Sequence, residues 1–135
     1  MTTYNLFISH SWAYSDTYDE LVRLLDGADR FSYKNYSVPK DNPIHDADNA
    51  KELEKAIKAQ MDKASVILIL AGVYASYSKW IDKEIAIAKG YASPKKIIAI
   101  EPWAAEKTSA IVKDSADEVV GWNTDSIVSA IRKLS

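Results

Sequence analysis

A single carboxylate, Glu84, lies where the sequence pattern predicts an apolar surface. The stretch SKWIDKEIAIAKGY, residues 78–91, has the spacing of an amphipathic helix. On a wheel of about 100° per residue, Asp82 and Lys83 fall on the polar side and Glu84 falls inside the apolar arc. The arc comprises Ile87, Trp80, Tyr91, Glu84, Ala88, Ile81, Ala92 and Ile85. The pattern therefore predicts a buried glutamate with an aromatic residue one turn before it.

Two interpretations of Glu84 follow from its position. A buried carboxylate needs partners, so Glu84 could form an ion pair or hydrogen bond within the core. It could instead be a catalytic or ligand-binding carboxylate whose ionisation is tuned by desolvation. In that case a sugar or a cationic ring would lie against Trp80. The pattern alone leaves both interpretations open.

A second group of polar residues follows the first predicted strand. It consists of Ser9, His10, Ser11 and Trp12, within FISHSW. Under a structural interpretation the two serines satisfy backbone groups at the strand end and Trp12 covers the sheet edge. Under a functional one, the group forms a polar floor for a ligand at the carboxyl end of the strand.

The composition excludes several classes of function. The 135 residues include 17 basic and 19 acidic side chains, and no segment concentrates Lys or Arg. Nucleic-acid binding and anionic-membrane binding therefore have no electrostatic signal. The chain has no cysteine and only two histidines, so we expect no disulfide, no metal site and no cysteine nucleophile. The four scattered glycines fit neither the dinucleotide fingerprint nor the P-loop.

The chain shows no membrane-spanning or secretory pattern. The N-terminal residues MTTYNLFISHSW lack the features of a signal peptide. The longest other apolar run, VILILAGVYA, is far shorter than the ~20 residues that a membrane helix needs. We expect a cytoplasmic protein in which residues 1–135 form a single domain.

The secondary-structure pattern predicts alternating strands and helices. Continuous apolar runs at Tyr4–Ile8, Val66–Leu70 and Ile97–Ile100 are typical of buried parallel strands. YSV near Tyr36 and EVV near Val119 are weaker strand candidates. Helices are predicted after the capping residues Thr17, Asn49 and Asn123 and from Ser78 onward. The order βαβαβαββα favours a flavodoxin-like doubly wound α/β fold with a parallel five-stranded sheet.

This fold brings the candidate residues to one edge of the sheet. Ligands of doubly wound sheets bind outside the carboxyl ends of the strands. The residues after the first strand, the loop Ser37–Asp48 and the segment before the third helix all emerge there. We therefore predict one cavity lined by Ser9, His10, Ser11, Trp12, Trp80 and Glu84. The long polar loop Ser37–Asp48 has few apolar anchors and is predicted to be its mobile part.

Five segments together resemble the TIR-like domain family typified by the NAD-consuming, ThsB-type component of the Thoeris anti-phage defence system. The segments are YNLFISHSW, NYSVP, VILILAG, SKWIDKE and VVGWN. The most specific element is Trp80 followed four residues later by Glu84, which matches the aromatic-to-catalytic-glutamate spacing of NAD-cleaving TIR domains. SHSW matches the end of the family's first strand, and Asn35 to Asp46 matches its long loop.

The resemblance implies a function as well as a fold. Catalytic members cleave NAD+ at the nicotinamide–ribose bond and release ADP-ribose or a cyclic isomer, so Glu84 would be catalytic and NAD+ a substrate, with no cofactor. Self-association for activity and a separately encoded effector that responds to the nucleotide signal are further expectations. Two other functions are a non-catalytic TIR-type protein interaction module and a nucleoside-transferring enzyme on a similar fold.

Overall fold

A five-stranded parallel sheet forms the centre of the molecule. The computed structural model describes residues 3–9, 16–36, 50–70, 78–101 and 114–135. The strands are β1 (Thr3–Ile8), β2 (Ser32–Asn35), β3 (Val66–Leu70), β4 (Lys96–Ile100) and β5 (Glu118–Val120). They pair in the order β2-β1-β3-β4-β5, and every pair is parallel. This order confirms the predicted flavodoxin-like doubly wound topology.

Four described helices cover the two faces of the sheet. They are α1 (Asp16–Asp26), α2 (Ala50–Met61), α3 (Ser78–Lys89) and α4 (Thr124–Leu134). Helices α2 and α3 pack on one face, and α1 and α4 pack on the other. None of the helices in the described ranges has the length and apolar character needed to cross a membrane.

The alternation of side chains along β1 creates two separate cores. Phe7 packs with α2 and α3, whereas Leu6 and Ile8 pack with α1 and α4. Successive side chains of a strand point to opposite faces, so a strand covered on both sides must be apolar at every position. In β3, Ile67 and Leu68 are both fully buried on opposite faces. Burial of each such side chain contributes about 1.5–3 kcal/mol.

The second strand lies earlier than the sequence pattern predicted. The strand predicted near Tyr36 is present, but β2 spans Ser32–Asn35 and Tyr36 lies just beyond it. This edge strand is half-buried and mixes apolar with polar residues instead of forming a continuous apolar run. Phe31 stacks on Tyr4 with ring centroids 5.4 Å apart and on Tyr33 with centroids 5.7 Å apart. The aromatic residues that anchor this edge thus precede the predicted position.

The helix ends agree with the sequence in part. Asn123 caps α4 as predicted, since its side-chain Oδ1 accepts a hydrogen bond from the Ser126 N–H at 3.1 Å. Thr17 is not the cap of α1, because that helix already begins at Asp16. Asn49 lies outside the described residues. Ala92 is exposed, contrary to its place in the predicted apolar arc, because α3 ends at Lys89.

Candidate functional site

Glu84 lies on the side of α3 that packs against the sheet. Its side chain is 0% exposed, and its neighbours Ile85 and Ala88 are 8% and 0% exposed. Both neighbours belong to the core between the sheet and the helix pair α2 and α3. Asp82, two residues earlier, is exposed. The predicted burial of Glu84 within the apolar stripe is therefore confirmed.

The position of Glu84 along α3 sets its depth below the sheet edge. It is the seventh residue of a 12-residue helix that begins at Ser78. A rise of 1.5 Å per residue places it about 9 Å from the helix start. Because α3 follows β3, its first turn is near the carboxyl edge and Glu84 lies further down, beside the strands. A ligand that contacts Glu84 has to reach below the rim of the sheet.

Ser9 faces the same side of the sheet as Glu84. It follows β1 directly, and its N–H donates to the carbonyl oxygen of Leu68 at 2.9 Å, which extends the pairing of β1 with β3. Because side chains alternate along the strand, Ser9 shares the face of Phe7, the face covered by α2 and α3. Ser9 is also 0% exposed. Within the described ranges, Ser9 and Glu84 are the two fully enclosed polar or charged residues.

The other predicted site residues lie outside the described part of the chain. They are His10, Ser11, Trp12 and the side chain of Trp80, together with the loop Ser37–Asp48. The backbone of Trp80 is in the first turn of α3, so the predicted one-turn separation from Glu84 is confirmed. The cavity that would join all six residues stays a prediction. The described part of the chain contains no group of three or more His, Cys, Asp or Glu residues that could hold a metal ion.

A polar cluster that the sequence analysis missed joins the C-terminal ends of α2 and α3. The Tyr91 hydroxyl donates a hydrogen bond to the Asp62 carboxylate. Lys58 forms an ion pair with the same carboxylate at 3.3 Å, and the Lys95 ammonium donates to the Asp62 backbone carbonyl at 3.3 Å. The two ammonium groups lie 4.8 and 4.9 Å from the centre of the Tyr91 ring, within cation–π range.

The electrostatics of this cluster follow from its contacts. The hydrogen bond from Tyr91, aided by the nearby lysines, lowers the pKa of Asp62 below its ordinary value. Burial, together with the adjacent Asp62 carboxylate, raises the pKa of Tyr91. The only sequence signal was the place of Tyr91 in the apolar arc, and its partner Asp62, which directly follows α2, is 29 residues away along the chain.

A surface groove runs between α2 and α3 beside this cluster. One part, of about 260 Å³, is lined by Glu54, Lys58, Ile87, Gly90 and Tyr91. The adjoining part, of about 270 Å³, extends along α2, and its described lining residues, Lys51, Glu54, Lys55 and Lys58, all belong to that helix. Neither Ser9 nor Glu84 is among the described lining residues.

The strand order and the helices on both faces of the sheet define a flavodoxin-like α/β domain. Residues 7–107 match the family described as Thoeris protein ThsB, TIR-like domain. The chain belongs to this family, which fits a role in Thoeris anti-phage defence. No curated protein matches the chain.

Proposed function

We propose that this domain cleaves NAD+ at the nicotinamide–ribose bond, with Glu84 as the catalytic carboxylate. The observation that carries the proposal is a fully buried glutamate, one helical turn after Trp80, in a chain of the ThsB TIR-like family. Ser9, His10, Ser11, Trp12 and Trp80 are proposed to bind the substrate. The product is ADP-ribose or a cyclic isomer, and it signals to a separately encoded effector during phage defence.

The proposed chemistry requires one carboxylate and no metal or general acid. When the bond between the ribose and the nicotinamide breaks, its electron pair moves to the pyridinium nitrogen, and nicotinamide leaves as a neutral molecule. The ribose carbon is left with oxocarbenium-like positive charge, which a preorganised carboxylate stabilises. Water, or another nucleophile of the same molecule, then bonds to that carbon and gives up its proton. Glu84 supplies the negative charge.

The depth of Glu84 supports a regulated enzyme. A side chain with 0% exposure does not contact a nucleotide in solution, so the site must open before NAD+ can reach it. Continuous destruction of NAD+ would harm the host cell. We propose that the isolated domain is nearly silent, and that self-association during infection opens and completes the site.

The same burial favours a second candidate function. A glutamate enclosed in the core could serve only to hold α3 on the sheet, and the domain would then be a non-catalytic interaction module. In that case Glu84 stabilises the fold through its partners and has no contact with NAD+. Measuring both the activity and the stability of Glu84→Gln distinguishes the catalytic function from the structural one.

The decisive experiment measures nicotinamide release by Glu84→Gln. This change keeps the size and hydrogen-bonding capacity of the side chain and removes its charge. Nicotinamide should be quantified by chromatography with the protein at high concentration or under crowding, where assembly is favoured. We expect loss of turnover by at least about 10²-fold, the order seen when an electrostatic stabiliser of a transition state is removed.

Asp82→Asn is the matched control for this experiment. Asp82 is an exposed carboxylate two residues away on the same helix, so its neutralisation changes net charge equally without touching the core. We expect turnover equal to that of the wild type. Equal turnover by Glu84→Gln and the wild type would exclude the catalytic role. Activity on nucleosides in the absence of NAD+ would instead indicate a nucleoside-transferring enzyme.

A further inference from the structure

Among the described side chains, the two helical faces carry opposite net charge. The face formed by α2, α3 and the turns that follow them has seven solvent-accessible lysines but three accessible carboxylates among its described side chains. The lysines are Lys51, Lys55, Lys58, Lys63, Lys83, Lys89 and Lys95, and the carboxylates are Glu54, Asp62 and Asp82. On the opposite face, α1 and its following turn expose four carboxylates and two arginines. Those residues are Asp19, Glu20, Asp26, Asp29, Arg23 and Arg30.

The positive charge of the first face is concentrated along the groove between α2 and α3. Lys51, Lys55 and Lys58 have i, i+4 and i+7 spacing, so they form one stripe along α2. Of these, Lys58 pairs with Asp62. Among the described residues, Lys51 and Lys55 enter no ion pair, and Lys83 already neutralises the groove carboxylate Glu54 at 3.3 Å. Two available ammonium groups therefore line the α2 part of the groove, and the adjoining part contains the half-buried Ile87 and Tyr91.

The exposed side of α1 is the complementary surface on the same chain. Glu20 and Asp29 are exposed and take part in no hydrogen bond or ion pair within the described ranges. Helix α4, which shares this face, has balanced charge, with Asp125 against Arg132 and the Lys133–Glu118 ion pair at 2.9 Å. The negative charge of the face is thus centred on α1.

We propose that the groove between α2 and α3 receives the acidic surface of α1 from a second copy of this chain. Because the two surfaces lie on opposite faces of one sheet, a copy that docks by its α1 leaves its own groove open for the next copy. Such a heterologous contact propagates into an open chain or closes into a ring, and is not restricted to a dimer. Electrostatic complementarity would fix the orientation of neighbouring copies and suppress groove-to-groove contacts.

This inference rests on the proposed function only in assuming that copies of the chain associate. Its test measures the average molecular mass in solution and does not depend on NAD+ cleavage. Two charge-reversed double variants of the full chain are needed. Lys51→Glu with Lys55→Glu makes the groove acidic, and Glu20→Lys with Asp29→Lys makes the α1 surface basic. Each variant alone brings like charges together, so each should remain monomeric at concentrations where the wild type assembles.

The equimolar mixture of the two variants is the critical sample. In the mixture, the acidic groove of one variant faces the basic α1 of the other, and the unaltered groove and α1 also face each other. Both contacts are complementary, so assembly should return to at least half of the wild-type mass average in sedimentation velocity or light scattering. Circular dichroism verifies that each variant is folded. Lys34→Glu with Lys96→Glu, two exposed lysines outside the groove, should assemble like the wild type.

Three outcomes would overturn the inference. The first is a wild type that stays monomeric at all concentrations and at low ionic strength. The second is unchanged assembly of either charge-reversed variant, which would place the contact elsewhere. The third is a mixture that fails to assemble although each variant is folded, which would indicate a symmetric contact or a different anionic partner for the groove. A wild type that assembles but does not cleave NAD+ would refute the proposed activity and leave the proposed contact intact.

Discussion

Glu84 places a carboxylate among the apolar side chains of the core. Ile85 and Ala88 on the same side of α3 pack into the core, whereas Glu84 brings a carboxylate into it. Burial removes the hydration of a charged group, and neighbours restore only part of that loss. Residues kept for activity often lower stability, and their replacement is then neutral or stabilising. A catalytic Glu84 is therefore expected to contribute little to the stability of the fold.

The stability of Glu84→Gln tests this expectation. We predict a free energy of unfolding within about 1 kcal/mol of the wild type, or above it, because the change removes a buried charge. If Glu84 instead formed an ion pair within the core, the loss would be about 3–5 kcal/mol, since its partner would stay buried without it. Urea denaturation gives the value, and Asp82→Asn, at the exposed surface, should stay within about 0.5 kcal/mol.

The N-terminus of α4 depends on one side chain. Asn123 has extended backbone geometry, with φ −151° and ψ 129°, and its Oδ1 accepts the otherwise unsatisfied N–H of Ser126. We predict that Asn123→Ala lowers the free energy of unfolding by about 0.5–2 kcal/mol, measured by urea denaturation. Asn123→Asp should keep most of the stability, because a carboxylate also accepts this bond and favours the helix dipole. Equal losses in both variants would exclude capping as the cause.

The contact between Tyr91 and Asp62 predicts a pH dependence for the link between α2 and α3. At neutral pH, Tyr91→Phe should be less stable than the wild type because Asp62 loses its hydrogen-bond donor. The folded-state pKa of Asp62 lies below its ordinary value of 3.8, so this contribution is present above pH 3.8 and declines as Asp62 is protonated at lower pH. The pKa of Tyr91 is raised above its ordinary value of 10.0, so the contribution also declines above pH 10.0.

Thermal unfolding of both proteins across the pH range provides the measurement. The difference in the free energy of unfolding between the wild type and Tyr91→Phe should be constant between pH 3.8 and pH 10.0. It should become smaller below and above this range. A difference that is independent of pH would show that the hydroxyl acts only by packing. Tyr36→Phe controls for the general loss of a tyrosine hydroxyl group, because the Tyr36 ring also lies near a lysine ammonium, that of Lys63 at 5.9 Å.

Continuous apolar runs and strong periodicity made most of the elements predictable from the sequence. β3 matches its predicted bounds because both faces of a central strand must be apolar. The predicted position of β2 was displaced toward the C-terminus. An edge strand is covered by only a few aromatic residues, so its sequence has no continuous apolar run. The burial of Glu84 followed from helical spacing. The cluster around Tyr91 could not be predicted, because Lys58 in α2 and Asp62 directly after it contact Tyr91 only when α2 and α3 pack together.

The charge asymmetry of the described helices is a product of topology. The chain as a whole has a formal net charge of −2, and no segment is strongly basic. The doubly wound order places α2 and α3 together on one face and sends α1 and α4 to the other. The lysines of α2 and α3 therefore lie together on one face of the sheet. The carboxylates of α1 outnumber the basic side chains of that helix on the other face. Among the described residues, a nearly neutral chain thus presents a basic surface and an acidic surface on opposite sides of its sheet, which composition cannot show.

This charge asymmetry predicts how turnover depends on protein concentration and salt. If self-association opens the site at Glu84, NAD+ cleavage per molecule should be low in dilute protein and should rise with concentration or crowding. The contacts between copies join exposed charges, and the screening length falls from about 30 Å at 0.01 M salt to about 8 Å at 0.15 M. Raising the salt at fixed protein concentration should therefore lower nicotinamide release together with the average mass. A rate strictly proportional to enzyme at nanomolar concentration, and unaffected by salt, would show that assembly is not the switch.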